Sequence, residues 1–235
     1  MSIEHKKETT ITDGYFDRIN PDILKKIPSD AGTVLEIGCG AGALASEYRK
    51  INPLCTYYGI DLSQAATAFA RENNRIDHVF TADVETTSLA DLGIAERSLD
   101  CIIYGDVLEH MLNPWEQLSR HKTFLKPEGC IITSIPNIGN FSIIYSLLKG
   151  NWAYQDEGLL DRTHLRFFTL SSIREMFRQA GMAIVDLEGR CYSLESHAFF
   201  MNCIKPVLPA MGLRAEAVAE VTKVFQYIVV GKPAI

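Results

Sequence analysis

The chain is predicted to be an α/β protein, a seven-stranded, mostly parallel sheet with helices on both faces. Three observations predict it. Short apolar segments alternate with segments of helical period along most of the 235 residues. The apolar segments are almost continuously hydrophobic, as strands covered on both faces must be. Directly after the first of them come alternating glycines at 38, 40 and 42, at the edge where open α/β sheets bind ligands.

The elements follow in order. Tyr15 to Ile27 has helical spacing, with a break at Asn20–Pro21 and a stop at Pro28. Thr33 to Ile37 is the first strand, and Leu44 to Ile51 the helix beyond the glycines. Thr56 to Ile60 is the second strand, ending on Asp61. Ser63 opens a helix to Asn73, because its hydroxyl can accept an unpaired N–H of the first turn. Val79 to Ala82 is a strand ending on Asp83, and Leu99 to Gly105 a fourth. Pro114 to Phe124 reads as a helix, since proline in the first turn sacrifices no hydrogen bond. Gly129 to Ile135 is a strand closed by Pro136, and Ser171 to Ala180 a helix stopped by Gly181. Met182 to Leu187 (strand), Ala215 to Lys223 (helix) and Phe225 to Val230 (strand) complete the set. The last two strands are expected to form an antiparallel edge pair.

No repeat or linker interrupts this pattern, so one domain is expected over 1–235. It carries an N-terminal helical cap at 1–30, a substrate-side insertion at 137–170 and a helical cap or dimer segment at 193–223. Residues 137–168 are read as long, irregular and aromatic, which marks function rather than a plain crossover.

Composition excludes other classes. Hydrophobic residues make up 47% and charged residues 22%, ordinary globular values that rule out a disordered chain or a fibre. The net charge of −6 disfavours nucleic acid, whose phosphates need a basic face. Six cysteines contain no C-x-x-C pair and no zinc spacing, so no metal is expected, and mostly buried, reduced thiols are. The polar N-terminus has no apolar core of a signal peptide, and no apolar run reaches about 18 residues. A cytoplasmic protein without a membrane span is expected.

The glycine loop carries the sharpest chemistry. Val34-Leu-Glu-Ile-Gly-Cys-Gly-Ala-Gly42 departs from the dinucleotide fingerprint, whose third glycine comes one position later. Glu36 stands two residues before the first glycine, where a pyrophosphate is repelled and a ligand bearing an ammonium and a sulfonium is welcome. Asp61, about 20 residues on at a strand tip, suits ribose hydroxyls. Leu62 beside it suits a purine face. Asp83 can accept from an exocyclic adenine amine while the Val84 N–H donates to the ring. Asp106, in Tyr104-Gly-Asp-Val-Leu-Glu-His110, faces the mouth of the crevice, and His110 is either a base or a loop-ordering residue.

Together Glu36, Gly38, Gly40, Gly42, Asp61, Asp83 and Asp106-x-Leu-Glu-His110 resemble the class I S-adenosylmethionine (SAM)-dependent methyltransferases over roughly residues 15 to 190. The resemblance implies a Rossmann-like sheet of order 3-2-1-4-5-7-6, SAM as cofactor, and cofactor contacts from Tyr15, Arg18, Glu36, Gly38, Cys39, Gly40, Asp61, Leu62, Asp83, Val84 and Asp106. Tyr15-Phe16-x-Arg18, Ile135-Pro-Asn137, Gly150-Asn-Trp152 and Leu160 to Thr169 are similar to methyltransferases of bacterial glycan and polysaccharide synthesis. That implies O-methylation of a sugar, a glycan intermediate or another small molecule. The alternatives are an NAD(P) oxidoreductase and a non-catalytic SAM-binding protein.

Methyl transfer from a sulfonium needs in-line alignment, and a hydroxyl acceptor must also lose a proton. His164 is expected as the base, oriented by Asp161, with His110 as a further catalytic residue. Arg162 and Arg166 are expected to anchor an anionic acceptor, and Asn137, Trp152 and Tyr154 to contact it.

Overall fold

A computed structural model of the chain describes residues 19–234. Tyr15, Arg18 and most of the expected N-terminal cap lie outside them. The chain runs α1 (Pro21–Lys26), β1 (Thr33–Ile37), α2 (Ala43–Ile51), β2 (Thr56–Asp61), α3 (Gln64–Glu72), β3 (His78–Thr81), β4 (Leu99–Gly105), α4 (Pro114–His121), β5 (Leu125–Pro136), α5 (Phe141–Leu148), α6 (Leu170–Gln179), β6 (Met182–Cys191), α7 (Leu194–Ile204), α8 (Ala215–Thr222) and β7 (Val224–Pro233). The strands form one sheet of order β3-β2-β1-β4-β5-β7-β6. The pairings among β1 to β5 are parallel, and β7 runs antiparallel to both β5 and β6. The expected edge pair and strand order are both present.

Period-two side-chain alternation explains the continuous apolar strands. In β4, Ile102 and Tyr104 point to one core layer, with Leu118 of α4 and Ile173, Met176 and Phe177 of α6. Cys101 and Ile103 point to the other, with Ile23 of α1, Leu44 and Tyr48 of α2 and Ala70 of α3. β4 thus feeds two cores, which is why it is apolar on both faces.

The sequence reading misses in three places. The insertion is not wholly irregular: Phe141–Leu148 is helical, and the Asn140 side chain caps it by accepting from Ser142 N at 3.0 Å. The segment 193–223, read as helical, holds a helix at Leu194–Ile204 that lacks a side-chain cap, with Ser193 at φ +54°. α7 and α8 enclose Phe200, Met201 and Leu208 against Phe141 and Ile144. β6 runs on to Cys191, because its outer face meets water and polar residues such as Glu188 and Arg190 are tolerated there. All six cysteines are unbridged, but Cys203 is exposed rather than buried, its apolar neighbours notwithstanding. Among the described residues, no helix is long and apolar enough to cross a membrane.

Candidate active site

The carboxyl ends of β1, β2 and β4 meet at one crevice. Gly38 (φ +75°) and Gly42 (φ +79°) take left-handed conformations that L side chains resist. A Cβ on Gly38 would lie 2.4 Å from Val107 Cγ2, so the glycine loop and the segment after β4 touch directly there. The loop's N–H groups turn inward. Gly38 N and Cys39 N donate to Ile60 O (2.8 and 3.1 Å), Gly40 N to Asp61 Oδ2 (2.8 Å) and Gly42 N to Cys39 O (2.9 Å). A pyrophosphate cradle needs such donors turned to the ligand, so the geometry disfavours the dinucleotide alternative.

Acids line this wall instead. Glu36 is buried at the end of β1, and Tyr57 Oη donates to its Oε2 at 3.0 Å. Burial raises its pKa to about 8, the Tyr57 hydrogen bond opposing and the Asp61 charge reinforcing. Asp61 accepts from Gly40 N and from Ser63 N (both 2.8 Å), which fixes the carboxylate while leaving lone pairs for ribose hydroxyls. Leu62 stands half exposed beside it, as a purine contact requires. Asp83 is exposed and accepts from Glu85 N at 2.9 Å, whereas the Val84 side chain belongs to the core. Cys39 differs from expectation: its side chain is buried against Gly59, and both its N–H and its carbonyl are taken within the chain.

Asp106 sits at φ +54° just beyond β4. Its N–H donates to Ser134 Oγ at 2.9 Å, and its carboxylate accepts from the Gln226 amide. Arg190 extends the network, with Nη1 donating to Gln226 Oε1 and Nε pairing with Asp22 Oδ2, both at 3.0 Å. α1, β4, β6 and β7 are thereby tied at the crevice mouth.

The insertion docks on the same segment. Leu165 N and Arg166 N both donate to Glu109 O (2.8 and 3.0 Å), which carries His164 beside Glu109 and His110. The two imidazole rings meet edge to face, with centroids 4.8 Å apart. His164 Nε2 lies 4.0 Å from Glu109 Oε1, and the two side chains are 6% and 1% exposed. One nitrogen from each histidine and one Glu109 oxygen lie within 4.8 Å of one another. Both Glu109 oxygens are buried without a hydrogen-bond partner. Burial, reinforced by the charge of Asp106, pushes this carboxyl well above the usual carboxylate range. Burial lowers the pKa of both histidines, which disfavours their charged forms. Glu109 is the residue that the sequence reading leaves without a role. Its signal was an acid flanked by Val107, Leu108 and Met111, where burial is expected.

Several assignments change. Asp161 does not hold the His164 ring. Its Oδ1 accepts from Thr163 N (2.7 Å) and Thr163 Oγ1 (2.6 Å), and Thr163 faces His110 Nδ1 through Oγ1 (3.1 Å) and its carbonyl (3.2 Å). Asp161 thus orients His110 through Thr163. With the Thr163 proton committed to Asp161, His110 donates Nδ1–H and keeps its lone pair on Nε2. Asn137 is no surface contact: it is 1% exposed, donates to Val221 O and Val224 O, and accepts from Gly139 N. Its amide nitrogen ties the end of β5 to α8 and to the start of β7, and its amide oxygen closes the local turn at Gly139. Arg166 donates to Leu112 O at 3.0 Å from Nε and lies over Trp115, so it fastens the insertion rather than an anion. Arg162 pairs with Asp156 at 2.8 Å on the surface. Trp152 packs on Phe167 (5.4 Å) and Tyr154 (6.4 Å), and Phe167 reaches His164 (6.3 Å), forming an aromatic wall beside the histidines.

The sheet order is that of a Rossmann-like methyltransferase fold. Residues 12–187 match the family model described as a methyltransferase domain, and the chain belongs to that family. The ubiquinone biosynthesis O-methyltransferase of Cereibacter sphaeroides is 26% identical over 189 residues, covering 80% of this chain and 73% of its own. That of Neisseria meningitidis serogroup C is 24% identical over 210 residues, covering 83% and 88%. A SAM-dependent methyltransferase from Archaeoglobus fulgidus shares the fold with a TM-score of 0.64 at 17% identity, covering 94% of this chain and 98% of its own.

Proposed function

We propose that the chain O-methylates a hydroxyl carried on the ring of a small molecule. The observation that carries this reading is the Glu109–His110–His164 cluster set beside the Trp152–Phe167 wall. When bound, SAM supplies a methyl group on an electron-poor sulfur. The residues do the rest. Glu36 and Asp106 face the cationic methionine end, and Asp61 and Leu62 take the nucleoside, with Asp83 at its far side. Trp152 and Tyr154 stack on the acceptor ring, and the polar cluster is where the acceptor hydroxyl loses its proton.

The resemblance to glycan-associated methyltransferases favours a sugar hydroxyl, while the relatives' names carry O-methylation in ubiquinone biosynthesis. The chain, incubated with methyl-labelled SAM and two panels, nucleotide sugars and hydroxylated aromatics, is expected to give a labelled methyl ether by mass spectrometry. Label on nitrogen or carbon instead refutes the reading. His164→Ala is expected to cut turnover at least about 100-fold, the scale of a lost proton-transfer group, with SAM affinity retained. Undiminished turnover removes His164 from the site.

A further inference from the structure

We propose that Gln226 and Arg190 are positioning residues for cofactor binding: they hold the Asp106 carboxylate at the crevice mouth as the partner of the cofactor's ammonium group. The role of the ammonium rests on the methyltransferase reading above; the chain of hydrogen bonds behind Asp106 rests on geometry alone.

The hydrogen-bonded chain has a direction. Gln226 lies between Phe225 and Tyr227 of β7 and is 7% exposed, where an amide without partners is costly. Both ends of its amide are used: Oε1 accepts from Arg190 Nη1 at 3.0 Å, and Nε2 donates to Asp106 Oδ1. A guanidinium has only donors, so it fixes the amide oxygen toward β6 and leaves the N–H groups to face Asp106. Gln226 therefore offers Asp106 a donor, a contact that suits the carboxylate better than the acid. Arg190 stands opposite Gln226 in the β6–β7 register and is aimed from behind. Its Nε pairs with Asp22 Oδ2 of α1 at 3.0 Å, and Lys25 holds the other Asp22 oxygen at 2.8 Å. Lys26 fastens the same helix to Asp186 and Glu188 of β6, at 2.8 and 2.9 Å. Asp106 itself is exposed at the crevice mouth and takes a left-handed conformation (φ +54°), with its N–H tied to Ser134 Oγ. Such strain in a residue other than glycine persists only where its surroundings impose it, and it gathers at functional sites.

The donors matter because Asp106 is crowded on every side but the crevice. The surrounding chain displaces water and pushes its pKa up to about 6, while Ser134, Arg190 and Gln226 pull it down. The other charged groups around it are Glu109 on its own segment, which disfavours a second negative charge, and Asp22 and Lys25 of α1 behind Arg190. Removing the amide or the guanidinium leaves the crowding and takes away the donors, so Asp106 picks up a proton at higher pH. A neutral acid is a poor partner for an ammonium, and binding then weakens from the acid side upward. The loss falls on the amino-acid end of the cofactor, because the nucleoside is assigned to Asp61 and Leu62 at the end of β2.

The test is calorimetric titration of the full chain with two ligands of neutral sulfur. S-adenosylhomocysteine carries the amino acid, and methylthioadenosine lacks it. At about pH 6, Gln226→Leu and Arg190→Met are expected to weaken S-adenosylhomocysteine about tenfold, the effect of a carboxylate pKa higher by about one, and methylthioadenosine less than about twofold. The ratio of variant to wild type is expected to shrink at about pH 8.5, where Asp106 is ionised without help, and taking the ratio removes the titration of Glu36 and of the ligand. Arg190→Lys keeps a charged donor and is expected to recover part of the loss. A further readout needs no variant to fold: in the wild-type chain the side-chain amide nitrogen resonance of Gln226 is expected to titrate with a midpoint of about 6 and to move again when S-adenosylhomocysteine binds. Equal losses for the two ligands, no loss for either, or a Gln226 amide indifferent to pH overturns the role given to Gln226 and Arg190. A wild-type chain that binds neither ligand at any pH refutes the methyltransferase reading itself, a failure distinct from variants that match a binding wild type.

Discussion

The two walls of the crevice are held in different ways. On the cofactor side, Gly38, Cys39 and Gly40 donate to Ile60 and Asp61 of the neighbouring strand, and Tyr57 answers Glu36. The wall is set by adjacent strands and is complete before any ligand arrives. On the acceptor side, His164 reaches His110 only because the insertion hangs from the Glu109 carbonyl, and the Glu109 carboxylate is left without a partner. A buried polar group that is satisfied fixes structure, and one that is left open calls for an explanation of its own.

The largest effect expected from breaking this contrast comes where the walls touch. Gly38→Ala sets a left-handed residue, costing about 1–2 kcal/mol, against a rigid valine methyl, an overpacking cost of about 1–3 kcal/mol. A total loss of about 3 kcal/mol is expected by urea denaturation, with the cluster at 109–110 displaced through Val107. Adding Val107→Ala is expected to restore the steric part and not the conformational part. A loss below about 1 kcal/mol means that the loop and the segment after β4 move independently.

The next effect separates the walls by charge. Burial raises the Glu36 pKa to about 8. The stability contributed by its neutral form is fully present below the unfolded value near 4.5 and is lost as pH rises through 8. Cofactor binding runs the other way, because a cation favours the carboxylate. SAM affinity is expected to rise about tenfold between pH 7 and pH 9, with proton release measured by calorimetry in buffers of different ionisation heat. Glu36→Gln is expected to abolish the part due to the protein. If wild type and variant share one pH profile, Glu36 does not face the cation.

These walls were not equally legible in the sequence. Glu36, Gly38, Gly42 and Asp61 are strand-end residues whose tasks follow from spacing along adjacent strands, and their placement follows the reading. The acceptor wall comes from positions 109–110 and 164, and nothing local says that they meet. Asn137 and Arg166 were read as substrate contacts because polar residues in a long aromatic stretch look available. The fold had already used them, on Val221, Val224 and Leu112. Glu109 stands in the sequence only as part of the Asp106–His110 motif, because its missing partner is visible only in three dimensions. The edge strands were read short for a related reason: one face of β6 lies in water, and polar residues there resemble a loop.

The smallest effect decides what the exposed rim of the acceptor wall does. Arg162 pairs with Asp156, and the two side chains are 62% and 80% exposed. Such a pair contributes little, because water screens it and ordering two long side chains offsets the attraction. Arg162→Ala is therefore expected to change stability by less than about 0.5 kcal/mol in urea denaturation. Its effect on kinetics depends on the acceptor. An anionic acceptor draws the guanidinium from Asp156, and losing that contact is expected to raise KM about fivefold at low salt with kcat unchanged, as for uniform binding. A neutral acceptor leaves KM where it was. Added salt is expected to erase the difference between wild type and variant, since an exposed contact is open to screening. If KM for phosphorylated and neutral acceptors alike ignores the substitution, Arg162 belongs to the surface, and acceptor recognition rests on the aromatic wall and the buried cluster alone.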